Sequence, residues 1–110
     1  MELEGKWTKD EEGYMDFDRP ELQRYYEAVT GKYHQVYNRY LEDFDDEEEA
    51  YYKAKSDGYE MVTDYKFIKD KEEFATTYIT PAHVVEVWYQ TDVLTQKRVY
   101  DKGFIRIYSR

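Results

Sequence analysis

The chain contains no cysteine. Disulfides, thiolate metal sites and thiol nucleophiles are therefore excluded. Histidine occurs twice, at His34 and His83, too rarely for a multi-histidine metal site. Ser56 and Ser109 are the only serines, and neither lies in a nucleophile-elbow pattern. Gly31-Lys32 lacks the glycine spacing of a phosphate-binding loop. No stretch approaches the roughly 20 apolar residues of a membrane span, and Met1–Lys9 has no apolar signal-peptide segment. These absences point to a soluble, cytoplasmic protein without catalysis, cofactor or bound metal.

What is abundant is acid and tyrosine. Seven of the eight residues from Glu42 to Glu49 are acidic (Glu42, Asp43, Asp45, Asp46, Glu47, Glu48 and Glu49), in a chain of net charge −9. The acidity is local: residues 1–55 hold 16 acids and 8 bases, net −8, and residues 56–110 hold 9 acids and 8 bases, net −1. The last twenty residues lean basic, with Lys97, Arg98, Lys102, Arg106 and Arg110 against Asp92 and Asp101. There are 14 tyrosines, and aromatic residues make up 19% of the 110. So aromatic a chain is not a disordered one, and its length suits a single domain spanning residues 1–110.

Periodicity sketches the elements. Asp18 and Glu21 have the spacing of a capping box, with Pro20 in the first turn. Leu22, Tyr26, Val29, Tyr33, Val36 and Tyr40 then form one helical stripe, which predicts a helix over about 19–44 running through Gly31. A second helix is expected from about Asp46 to Ser56, with acids first, Lys53 and Lys55 last and Gly58 after it. Tyr59, Met61, Thr63, Tyr65 and Phe67 alternate as in a half-buried strand. A short helix is expected at Lys71–Tyr78, opened by Asp70 and Glu73, and a strong strand at His83–Thr91. Asp92–Lys97 is expected as a loop. Arg98–Tyr100 and Phe104–Tyr108 suggest a hairpin turning at Asp101-Lys102-Gly103. Lys6–Phe17, with a turn signal at Asp10–Gly13, suggests a small hairpin or cover strand. The expected fold is α+β: a long N-terminal helix and shorter helices packed on a small antiparallel sheet formed mainly by the C-terminal half.

The acidic run fails as a calcium loop. Counted from Asp43, it puts Glu48 where an EF-hand needs glycine and Ala54 where it needs glutamate. Part of the run suits a helix N-terminus, where the dipole favours acid. Seven acids exceed that need, because neighbouring like charges repel. Carboxylates one helical turn apart lie about 5–6 Å from each other, similar to successive phosphates on a nucleic-acid strand. Such an edge fits a basic groove and repels nucleic acid and anionic membranes. The expected function is a non-catalytic acidic module that occludes the basic surface of another protein, a nucleic-acid-binding enzyme or a toxin. Glu42, Asp43, Asp45, Asp46, Glu47, Glu48 and Glu49 would supply the charge, and Tyr51 or Tyr52 an aromatic contact. Small acidic phage inhibitors of restriction, repair or CRISPR enzymes resemble this composition, as do immunity proteins against nuclease toxins.

The element order is also similar to the NTF2-like cone, in which helices cover a curved sheet and enclose a pocket. That resemblance implies a small-molecule binder or enzyme whose pocket would draw on Asp64, His83, Glu86 and several tyrosines. The sequence leaves the oligomeric state open.

Overall fold

The structure, a computed structural model, describes residues 1–68, 71–91, 94–95 and 98–110. The chain opens with a hairpin: β1 (Glu2–Lys9) pairs antiparallel with β2 (Met15–Phe17), with Trp7 opposite Phe17. The turn signal acts as expected. The Asp10 carboxylate accepts the N–H groups of Glu12 and Tyr14, each at 2.9 Å, and Gly13 takes φ 89°. The long helix α1 (Pro20–Phe44) follows, then α2 (Glu47–Ser56), β3 (Glu60–Ile68), β4 (Lys71–Ile79), β5 (His83–Thr91) and β6 (Arg98–Ser109). The six strands among the described residues form one antiparallel sheet in the order β2-β1-β6-β5-β4-β3. The α+β class holds.

Helix α1 is continuous through Gly31, whose surroundings are open. Its stripe meets the sheet deeply at first, with Leu22 fully buried and Val29 and Tyr33 at 3% exposure. Val36 and Tyr40 are only half-buried, so the C-terminal half of α1 reaches past the sheet's core. Leu22 and Val29 pack with Trp7, Val85, Val87, Ile105 and Ile107, flanked by Tyr25, Tyr26, Tyr78 and Tyr89.

Four expectations need correction. First, the long helix is not N-terminal. The β1–β2 hairpin precedes it and adds two strands to the sheet, which is therefore not small. Second, Lys71–Tyr78 is no helix but the strand β4, so α2 is the only shorter helix among the described residues. Asp70, expected to cap that helix, lies outside the described residues, as do Asp92, Val93, Gln96 and Lys97 of the expected loop. Between β3 and β5 every β4 residue from Phe74 to Ile79 has a partner on both sides, and this pairing outweighs a local helical pattern.

Third, Asp101-Lys102-Gly103 does not turn. Strand β6 runs through it, with Lys102 opposite Thr8 and Gly103 opposite both Trp7 and Tyr89. The Trp7 indole N–H donates to the carbonyls of Trp88 and Phe104, both at 3.1 Å. A Cβ at Gly103 would overlap the Trp88 carbonyl oxygen and the Trp7 ring. Glycine is present to let a tryptophan lie against the backbone, and its turn-forming freedom is unused. Fourth, Asp18 does not cap α1. The N-cap is Arg19, without a side-chain cap bond. The Asp18 N–H is held by the Lys6 carbonyl at 3.1 Å, and the Arg19 guanidinium donates to the Glu4 carbonyl at 3.0 Å. The junction is anchored to β1, one residue early for a capping box.

Candidate functional site: the acidic corner between the helices

The seven acids sit where α1 gives way to α2. Asp45 adopts the left-handed conformation, φ 51° and ψ 36°, and its N–H closes α1 on the Leu41 carbonyl at 2.8 Å. Aspartate tolerates that conformation better than most residues. Asp46 returns to extended backbone and caps α2, its carboxylate accepting the N–H groups of Glu48 at 2.9 Å and Glu49 at 3.1 Å. Glu47, Glu48 and Glu49 fill the first turn of α2, where the dipole favours them. Helix α2 then folds back on α1 through Ala50 and Ala54, both fully buried. The Tyr40 hydroxyl, donating to the Asp57 carboxylate, ties the two helices together.

Glu42 and Asp43 have no such role. They lie in the last turn of α1, which has no base, at the negative end of the dipole. Acids there are unfavourable by about 0.3–1 kcal/mol each. All seven acids are exposed, and among the described residues none forms an ion pair. The corner thus holds seven solvent-facing carboxylates, two of them placed against local helix electrostatics.

Aromatic surface lies beside the charge. Phe44 is 40% exposed and Tyr52 59% exposed. The Lys53 ammonium sits 5.6 Å above the Phe44 ring. Asp46, Glu48, Glu49, Tyr52, Lys53 and Ser56 line an open groove of about 490 Å³. The two candidate tyrosines separate here. Tyr51 is half-buried and donates its hydroxyl to Glu60 at 3.0 Å, so burial first, and then this carboxylate, push its phenol pKa up. Tyr52, touching the Tyr51 ring edge-on at 5.5 Å, offers its own ring to solvent. Phe44 was missed as a contact in the sequence reading, although its isolation among acids is visible there.

The residues of the pocket reading are not brought together. Along a strand, side chains alternate between the two faces of the sheet. Val85 and Val87 face α1, so Glu86 faces away from it, and His83 lies on the helix side with its ring 5.2 Å from Tyr25. Asp64 is exposed and accepts the N–H of Tyr65 at 2.7 Å. Glu86, at 6% exposure, anchors a charged cluster on the helix-free face. Lys66 Nζ reaches it at 3.1 Å and Thr77 at 2.6 Å, while Arg106 Nε lies 3.8 Å from Glu86 and 3.3 Å from Glu2. Long cationic side chains can lay their stems over such a face and leave their charge near water. Tyr108, beside Arg106, has its phenol pKa raised by burial and by Glu86. His83 and Glu86 thus lie on opposite faces of the sheet, and no group of three metal-ligating side chains occurs among the described residues.

No protein-family model, curated protein or solved structure matches the chain. No helix among the described residues is long and apolar enough to cross a membrane.

Proposed function

We propose that this chain is a non-catalytic binding module whose acidic corner occupies a basic surface of another protein. The partner's chemistry is that of a nucleic-acid-binding enzyme or a nuclease toxin, whose groove normally holds phosphates. The observation that carries the reading is Glu42 and Asp43, exposed, without an ion pair among the described residues and set against the α1 dipole, continuous with five further exposed acids. Local stability alone accounts for Asp45, Asp46 and the first turn of α2, but it disfavours these two. Tyr52 and Phe44 would add desolvated aromatic contact at the edge of the charge.

The reading is tested by capture of tagged protein from a bacterial lysate at low salt and at about 0.5 M salt, where screening lengths fall several-fold. A nucleic-acid-binding protein retained at low salt and released at high salt is the expected result. With that partner purified, replacing Asp45, Asp46, Glu47 and Glu48 by Asn and Gln should weaken binding by about tenfold or more, mostly through slower association. Asn at 46 keeps a capping side chain, so α2 should survive the change. Unchanged affinity would remove the acidic corner from the mechanism. The cone-shaped small-molecule binder draws no support from the positions of His83 and Glu86, which lie on opposite faces of the sheet.

A further inference from the structure

The two edges of the sheet are finished differently. At the β2–β1 edge the Glu4 carbonyl takes the Arg19 guanidinium, the Lys6 carbonyl takes the Asp18 N–H, and β2 is only three residues long. At the other edge lies β3, nine residues long, with β4 as its only strand neighbour among the described residues. The N–H of Tyr59, the residue before the strand, goes to the Ala54 carbonyl, and the Tyr65 N–H within it goes to the Asp64 carboxylate. Residues two apart share a direction in a strand. Met61 and Thr63 therefore point their backbone groups outward as Tyr65 does. The contact of the Thr63 and Thr76 hydroxyls at 3.3 Å agrees, since side chains approach more closely in pairs that do not share backbone bonds. Thr63, Asp64 and Tyr65 are exposed, Tyr65 by 62%.

We infer that β3 is a self-pairing edge, which joins a second copy of this chain in antiparallel fashion about a two-fold axis through Thr63. The strand is complementary to itself in that register. Met61 comes opposite Tyr65 of the second copy, twice, and covers the exposed ring now supported on one side by Phe74 at 4.8 Å. Glu60 comes opposite Lys66, twice, and both side chains keep solvent-facing surface, 21% and 31%. Thr63 meets Thr63. An isologous contact requires this reciprocity, and a foreign strand has no reason to satisfy it. The outward groups of Met61, Thr63 and Tyr65 become ladder bonds, and two six-stranded sheets become one. Asp64 is the guard, because its carboxylate must release the Tyr65 N–H before the edge can pair.

Sedimentation equilibrium of the full chain over a wide concentration range tests this, together with T63P and D64A. Proline is tolerated on an edge strand where its N–H would face outward, so T63P should keep the far-ultraviolet dichroism of the parent and stay monomeric. The parent should form a reversible dimer, and D64A should dimerise more tightly by several-fold. Amide hydrogen exchange on the unmodified chain is the second readout: Met61 and Thr63 should exchange more slowly as concentration rises. It decides alone should T63P not fold. A parent and D64A that are both monomeric at millimolar concentration overturn the inference. So does a dimer that T63P leaves intact, or one that leaves Met61 and Thr63 exchange unchanged. The acidic corner plays no part in the contact, so either outcome leaves the proposed function to its own test.

Discussion

Single residues carry unusual weight where Trp7 crosses the sheet. Its indole lies over Gly103 and donates to two carbonyls, and no side chain fits at 103. Gly103→Ala should therefore destabilise the protein by about 3 kcal/mol or more, at the upper end of overpacking costs, visible as a lower urea midpoint. Tyrosine ionisation gives a second expectation. Burial, aided by neighbouring Tyr26, Tyr89 and Tyr33, pushes the Tyr78 phenol up to about 12 from its ordinary 10.0. Tyr26 and Tyr33 are raised by burial as well. Below pH 10 these phenols are neutral in folded and unfolded chains alike, and they add no pH dependence. As pH rises from 10 towards 12, the unfolded chain loses protons that the folded chain keeps, so stability falls. Urea midpoints measured across that range should drop, and the phenolate absorbance of Tyr78 should appear only late in the titration. A flat midpoint up to pH 12 would contradict the burial of these hydroxyls.

At the scale of elements, the acidic run is not one feature but three. Asp45 and Asp46 shape the passage between helices, Glu47–Glu49 suit the start of α2, and Glu42 and Asp43 oppose the end of α1. Substitutions inside one run should thus act with opposite signs. Asp46→Ala should cost about 1 kcal/mol through loss of the cap. Glu42→Lys and Asp43→Lys should each stabilise by about 0.3–1 kcal/mol by reversing the charge at the negative end of the dipole, and both should weaken partner binding. Thermal unfolding of the three variants checks the signs. If Glu42→Lys destabilises the protein, the charge placement at that turn has a structural use that the geometry does not reveal.

For the molecule as a whole, the arrangement keeps charge and packing apart. The sheet and the first half of α1 build the core, and α2 holds the acidic corner beside the overhanging end of α1. Heavy neutralisation of the corner should accordingly leave the fold intact. The variant with Asp45, Asp46, Glu47 and Glu48 changed to Asn and Gln should keep its cooperative unfolding within about 1 kcal/mol of the parent, because surface changes away from packed features are small. Its partner affinity should lose most of its salt dependence, read from binding curves at several ionic strengths. A large loss of stability would mean that the corner is part of the packing after all.

The helices were legible in the sequence because helix formation is local. The stripe Leu22–Tyr40 and the ordering of acid, base and glycine around α2 act over a few residues, and both predicted helices of the first half are present. The hairpin turn at Asp10–Gly13 was legible for the same reason. Non-local contacts decided the rest. Lys71–Ile79 became a strand because β3 and β5 supply partners on both sides. Gly103 was taken for a turn because its true role depends on Trp7, which reaches it only through the β1–β6 pairing. The acidic candidates could be named in advance, since exposure of a dense charge run follows from its solvation alone. Which of Tyr51 and Tyr52 faces solvent could not, because Glu60, the acceptor that holds Tyr51, comes from a different element. Sequence by itself determined the local conformations and the place of the charge. Tertiary structure decided which backbone groups found partners across the sheet, because pairing energy is gained only when distant segments meet.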